Sequence, residues 1–308
     1  MSESIFSRKK EIFRKLAICV VIIAPILAHA QEDCGTITKS IRLKSDCRGP
    51  LIVGANNVVI NLNGYTVLAP AWDPDLNRDR GSVEVFNKHG VTVKNGTING
   101  LSIGLYVKGG HRNKFSNLVP LRMGEGGTYA LFVDVKDTVL SRISIRAYED
   151  TSAFRFSGKN STLSWLSIYN IDGSPLAGVA GRKLTISNSS FTGGYTGTCS
   201  PTSLSISAST VTGNVFSGGA GGPSAGLCLY GGRNRLKRNT ITSHWGSGFK
   251  LVEGSNNIIS NNNISSEREP PSPYVDIDGG PDACKNKWCN NEFTTDSEGD
   301  GPEQGCIR

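Results

Sequence analysis

Apolar residues return along this chain in matched pairs: Val93 and Ile98, Leu140 and Ile145, Leu163 and Ile168, Ile186 and Phe191, Val211 and Phe216, Leu236 and Ile241, Ile259 and Ile264, Trp288 and Phe293. From Ile145 the closing residue recurs at steps of 23, 23, 25, 25 and 23 residues, and the 47 residues from Ile98 to Ile145 make two more steps. A period of this length marks a solenoid, in which each repeat buries its apolar face only against its neighbours. Between the pairs, short runs such as Gly226-Leu-Cys-Leu229 and Gly248-Phe-Lys-Leu251 alternate apolar with polar residues, and Gly, Asn and Ser break them. Alternation with that punctuation predicts strands joined by tight turns. The leucine spacing and helical stretch of a leucine-rich repeat are absent.

Asn214, Asn239, Asn262 and Asn291 each stand two residues before a closing apolar residue. Stacked turns suit Asn there, because it tolerates the left-handed conformation and its side chain can bond the backbone or the next Asn. Four independent turn asparagines are the alternative.

Residues 1–30 have the build of a secretory signal: Arg8, Lys9, Lys10, Arg14 and Lys15, an apolar run from Leu16 to Leu27, then the cleavage pattern Ala28-His29-Ala30. The run is too short to span a bilayer, and an uncleaved anchor is the competing reading. A secreted or periplasmic protein is expected, with no transmembrane segment once the leader is removed. Without the leader the formal charge falls from +7 to +4. No Lys/Arg run interleaved with aromatics remains, so no nucleic-acid partner is expected.

Cys19 falls in the leader, leaving seven of the eight cysteines. In an oxidising compartment disulfides are the default, and an odd count leaves one thiol over. Cys34 and Cys47 bracket a strand at the open N-terminal end and are expected to pair. Cys284 and Cys306 tie down the tail, Cys199 lies in a Gly-rich loop that can fold over the strand bearing Cys228, and Cys289 is the odd one. The cysteine spacing, with no His nearby, does not suit zinc. The expected organisation is a signal over 1–30, a cap over 31–49, the solenoid over 50–266, and a last rung with its tail over 267–308. Insertions at 68–80 and 267–274 interrupt the repeat, and insertions in solenoids go to surface loops, often on the binding face.

The run Asn56-Asn-Val-Val-Ile-Asn-Leu-Asn-Gly-Tyr-Thr-Val67, the repeated Gly-apolar-x-apolar strands and Asn256-Asn-Ile-Ile-Ser-Asn-Asn-Asn-Ile264 resemble bacterial right-handed parallel β-helix repeat proteins of the pectate-lyase-like group. The resemblance runs from Cys34 to Cys306. It implies an all-β chain, a single right-handed parallel β-helix of about ten rungs with disulfide-stabilised ends. For activity it implies only a range, since the group includes polysaccharide lyases, hydrolases, epimerases and members with no assigned reaction. The chain lacks the Gly-His-Gly, Asp-Pro-His-Asp and Trp-x-Asp-His markers of better-known members, and also a phosphate-binding Gly loop, H-E-x-x-H and G-x-S-x-G.

A site must therefore come from the register, since alternate residues of each strand face outward and rungs stack about 4.8 Å apart. One expected outward column is Glu84, Tyr106, Phe132, Arg155, Cys228, Lys250 and Asp276. The other is Phe86, Lys108, Asp134, Ser157, Tyr230, Val252 and Asp278. Small residues around Gly178, Ala180, Ser203 and Ser205 would floor a groove between Arg155 and Cys228.

Such a face suits an acidic polysaccharide. Arg155 or Lys250 can clamp a uronate carboxylate, which acidifies the C5 proton, and Lys108, Tyr106 or Tyr230 can act as base or acid. Glu84, Asp134, His111 and Trp72 complete the candidates, Trp72 by stacking on a sugar or, equally, by packing on its own rung. Exposed ion pairs, Lys108 with Asp134 and Lys250 with Asp276, are the plain alternative.

For hydrolysis, Glu84 and Asp134 stand roughly 12 Å apart by these spacings, beyond the roughly 5–9.5 Å required. No cofactor is expected. A calcium ion would need the oxygens of Asp276 and Asp278 or of Asp73, Asp75 and Asp79. The expected function is thus an exported lyase or C5-epimerase acting on an acidic polysaccharide. The alternative is a non-catalytic glycan-binding or structural envelope protein.

Overall fold

The two ends of each apolar pair point inward from different faces of the molecule. In the strand Thr162–Asn170, Leu163 pairs with Ile186 of Thr185–Ser187, whereas Ile168 pairs with Phe191 of Ser190–Gly193. Between them Trp165 has φ 57°, the left-handed conformation that turns the chain through a corner without ending the strand. Asn95, Asn117, Arg142, Asn188, Gly213, Arg238, Asn261 and Asn290 take this place on other rungs. Each pair therefore marks a strand, a one-residue corner and a second strand. The step hidden between Ile98 and Ile145 is Lys114–Arg122, where Phe115 and Pro120 stand in register with Val93 and Ile98.

The structure, a computed structural model, describes residues 32–69, 80–100, 102–122, 129–147, 153–170, 177–193, 202–218, 225–244, 246–267, 275–295 and 306–307. It is an all-β right-handed parallel solenoid. Besides the two faces joined by the corner, a first sheet of 11 strands runs from Thr36–Ile37 to Ile277–Asp278 with every pairing parallel. A short strand on each of the three faces already forms within the expected cap, at Thr36–Ile37, Ile41–Arg42 and Cys47–Arg48. The core is the continuous stack of inward residues, with Phe115, Phe154, Phe156, Phe191, Phe216 and Phe249 fully buried. The rings of Phe191 and Phe216 stack with centroids 5.2 Å apart.

The asparagine column is continuous, with Asn214, Asn239 and Asn262 buried and Asn291 half-buried at its end. The Oδ1 atoms of Asn239, Asn262 and Asn291 accept from the backbone N–H of the preceding member at 3.0, 2.9 and 3.1 Å, and from its Nδ2 as well. Their own Nδ2 groups donate to the carbonyls of Val211, Leu236 and Ile259. These asparagines do not take the left-handed conformation; the residue before each one does, namely Gly213, Arg238, Asn261 and Asn290. The corner residue points its side chain out and leaves the next backbone N–H without a strand partner. A short amide pointing inward satisfies it. A second column, Asn234, Asn257 and Asn286, does the same at the other corner.

Cys34 pairs with Cys47 and Cys284 with Cys306, while Cys289 is a free thiol. Cys228 is disulfide-bonded. Cys199, the leader, Trp72, Asp73, Asp75 and Asp79 lie outside the described residues. Ile307, beside the Cys284–Cys306 disulfide, is fully buried. No helix among the described residues is long and apolar enough to cross a membrane.

Candidate functional site

On the first sheet the two outward columns form in the expected register over most of their length. Glu84, Tyr106, Phe132, Arg155, Gly178, Ser203, Cys228 and Lys250 pair in sequence. So do Phe86, Lys108, Asp134, Ser157, Ala180, Ser205 and Tyr230. The register then departs twice. A bulge pairs Tyr230 with Glu253 rather than Val252, and Lys250 pairs with Asp278 rather than Asp276.

Lys250 and Asp278 form an ion pair at 3.0 Å, so Lys250 is engaged and stands four rungs from Arg155. Asp276 is buried. Its carboxylate accepts from the backbone N–H groups of Ser266, Thr294 and Thr295, which makes it a structural anchor after the insertion. Neither arrangement leaves Asp276 and Asp278 as a free oxygen cluster, and among the described residues no three His, Cys, Asp or Glu side chains converge on a metal position.

Glu84 corrects a second expectation. Although its register position is outward, it is only 2% exposed, because Arg80 at 3.0 Å and the Gly81 N–H at 3.2 Å cover its carboxylate. The hydrogen bond from Arg80 to Glu84 in turn holds that guanidinium above its ordinary pKa. Glu84 is thus an internal ion-pair member and not a groove wall.

Arg155 is where the columns become a site. Beside it, Tyr129, Phe154, Phe156, Ser157, Gly178, Val179, Ala180, Ser203 and Ser205 line a depression of about 350 Å³. The floor is low because the outward side chains of two successive rungs are absent or small, and a Cβ placed on Gly178 would meet nothing within 4 Å. The wall is aromatic. Phe86, Tyr106 and Phe132 pack edge to face at centroid distances of 5.0 and 5.2 Å, and Tyr129 joins Phe132 at 5.5 Å. The Arg155 guanidinium sits 5.5 Å from the Phe132 ring centre and 6.0 Å from that of Tyr129, donating to the Tyr129 hydroxyl at 3.3 Å. Ring quadrupoles and that bond hold the exposed guanidinium in place without neutralising it.

The structure thus brings Arg155 together with Tyr106 through Phe132. Lys108 and Asp134 are exposed register partners on the adjoining column, with no ion pair between them. Tyr230 stands three rungs beyond Ser157. His111 ends its strand stacked on His89 at 5.1 Å and bonded to Arg112. Desolvation, then the neighbouring Arg112, His89 and Lys136, lowers the His111 pKa. Tyr129 was not among the expected residues. Alternation counted back from the buried Leu131 would turn it inward, but the strand departs from alternation at its start, where Ala130 and Leu131 are both buried and Tyr129 is half-buried.

Residues 177–295 match the family model described as "Right handed beta helix region". No curated protein matches the sequence. Among solved structures, the chain is similar to the Dettilon tailspike protein (gp208), at 9% identity over 85% of this chain and 62% of that chain, with a TM-score of 0.38. It is also similar to the A-module of the Azotobacter vinelandii mannuronan C-5 epimerase AlgE4, at 11% identity over 84% of this chain and 86% of that one, again with a TM-score of 0.38. The chain spans 62% of the tailspike's length. At that score neither likeness bears on function.

Proposed function

We propose that this right-handed parallel β-helix protein binds an acidic polysaccharide across the first sheet, with a uronate carboxylate on Arg155 and the sugar against the Tyr129–Phe132 wall. The observation that carries the reading is an exposed, oriented guanidinium, without a carboxylate partner among the described residues, beside a depression with a small-residue floor. A planar guanidinium suits a carboxylate through paired hydrogen bonds, and an aromatic wall suits the apolar face of a pyranose. The disulfides go with an oxidising compartment, where such polymers are met.

A second reading, lyase or C5-epimerase chemistry, is favoured by the contact between Arg155 and the Tyr129 hydroxyl. With the carboxylate neutralised by Arg155, the phenolic oxygen is the group placed to take the C5 proton. Breaking the C4–O bond, with a C4–C5 double bond formed and the leaving oxygen protonated, gives elimination. Returning a proton to the opposite face gives epimerisation.

The test is binding and turnover on a panel of uronate polymers, read by calorimetry, ultraviolet absorbance of unsaturated ends and NMR of C5 configuration. Arg155→Ala abolishes binding if the reading holds. Tyr129→Phe keeps binding and loses turnover if the site is catalytic. Wild-type protein that binds no member of the panel overturns both readings.

A further inference from the structure

The strand Thr202–Ser207 carries three outward serines, and they belong to two depressions. Ser203 and Ser205 line the one beside Arg155. Ser207, two residues on, lines a second of about 470 Å³ with Gly232, Arg233, Gly254, Ser255 and Asn256. Ser207 pairs with Arg182 on the preceding rung, and Gly232 follows on the next, its carbonyl accepting from the Ala208 N–H at 3.1 Å. A Cβ on Gly232 would meet the Ser255 carbonyl oxygen at 2.4 Å, so this close backbone approach keeps the floor low. Arg233, with φ 60°, projects exposed from the corner beside that floor, and Arg182 is exposed as well.

Among the described residues neither guanidinium has a carboxylate partner. Asp282, which accepts from the Gly254 N–H, is paired with Lys285, and Glu253, next to Gly254 in sequence, is exposed and outside any ion pair among the described residues. Arg182 also stands in register with Lys159. Like charges opposed on neighbouring strands repel, and the fold does not require them here, since the next member of the column is Ser207.

The two depressions adjoin along one strand. No large outward side chain interrupts the floor from Gly178 and Ala180 through Ser203 and Ser205 to Ser207 and Gly232, a continuity that two independent anion sites would not need. Half-buried Tyr230, in register with Ser205, stands beside this path and offers a ring to a pyranose. Arg233 lies three rungs from Arg155 and five residues further along the chain from the same column, a main-chain separation of roughly 20 Å at about 4.8 Å per rung and 3.3 Å per residue. One sugar cannot reach both guanidinium groups. A chain with a carboxylate on each sugar can, and a planar guanidinium suits each carboxylate through paired hydrogen bonds.

We propose that the second depression is a further carboxylate subsite of the same binding face, where Arg182 and Arg233 take a second uronate of the polymer whose first carboxylate lies on Arg155. This inference rests on the reading of Arg155 as a uronate site. It adds the length and course of the ligand, an oligomer that runs obliquely across the strands from Arg155 to the corner at Arg233.

The experiment is calorimetry of the full chain with ladders of oligogalacturonate and oligomannuronate from dimer to octamer. Wild-type affinity is expected to rise with length and to level off once the oligomer spans both depressions. Arg182→Gln/Arg233→Gln is expected to bind the dimer as wild type does and the octamer at least about fivefold more weakly. Arg155→Ala should lose both. Lys39→Gln/Lys44→Gln, with the same net charge, should bind both as wild type, and the Arg182→Gln/Arg233→Gln variant should melt at or above the wild-type temperature, which separates loss of the subsite from loss of fold. Octamer binding unchanged in that variant, while Arg155→Ala still abolishes it, would overturn this inference and leave the Arg155 reading standing. So would equal losses for dimer and octamer, or an equal loss in Lys39→Gln/Lys44→Gln. Wild-type protein that binds no oligomer of either ladder overturns the Arg155 reading, and this inference falls with it.

Discussion

The asparagine column and the outer columns of the first sheet are built from the same rungs, one residue per turn, yet they treat polar groups in opposite ways. In the column every amide is spent on its neighbours: Asn239 accepts from Asn214 and donates to Val211 and Asn262. On the first sheet the repeat is allowed to vary, from Phe132 to Arg155 to Gly178 to Ser203 in four consecutive rungs. A buried polar group left without a partner carries a large penalty, so the interior column must be uniform. An outward strand residue carries no such constraint, and variation there is where a ligand can be specified. The Arg155 guanidinium, fixed by two rings and a phenol and paired with no carboxylate among the described residues, is the product of that freedom.

This contrast is open to attack from both sides. The largest effect is expected inside: Phe216→Ala should cost about 3–5 kcal/mol through the cavity it leaves. Asn239→Ala, which orphans the Asn214 N–H and the Val211 carbonyl, should cost about 2–4 kcal/mol, both read by urea denaturation. Arg155→Ala should stay within about 0.5 kcal/mol of wild type in the same assay. A larger loss would make Arg155 structural and erase the distinction.

Gly178→Phe sharpens the other side. Its added side chain enters open space, so stability should hold while uronate affinity falls about tenfold or more by calorimetry. A smaller effect is expected at the corner, where Trp165 is 59% exposed with φ 57°. Trp165→Gly should raise stability by up to about 1 kcal/mol, because Gly adopts that conformation without a Cβ clash. The smallest concerns Asp282, whose carboxyl is held below the usual carboxylate range by Lys285 and the Gly254 N–H. A lowered folded pKa means that its contribution is present above the ordinary carboxylate pKa and is lost as pH falls through the folded value. Asp282→Asn should therefore flatten the acid limb of the stability profile slightly.

Much of this was legible in the chain. The recurring apolar pair gave the repeat and its period, and strict alternation placed Arg155 level with Gly178 and Ser203 before any coordinates. What escaped has physical causes. Pairing register says which way a side chain points but not what folds over it, so Glu84 reads as outward although Arg80 covers it. The insertion before the last rung lets the strand restart two residues late, which exchanges Asp276 for Asp278 opposite Lys250. The left-handed residue precedes each column asparagine because an αL side chain points out of the turn, and only the following residue can serve the core. Tyr129 lies at the beginning of its strand, Tyr129–Lys136, where the alternation has only begun.

The most direct test of the account is hydroxyl-radical footprinting of the full chain with and without a saturating uronate polymer. Tyr129, Phe132 and Tyr106 on the first sheet are expected to lose reactivity on binding, while the exposed Trp165 and Tyr169 on the other faces keep theirs. Protection of Trp165 and Tyr169 with Tyr129 and Phe132 unchanged would contradict the assignment of the first sheet as the binding face.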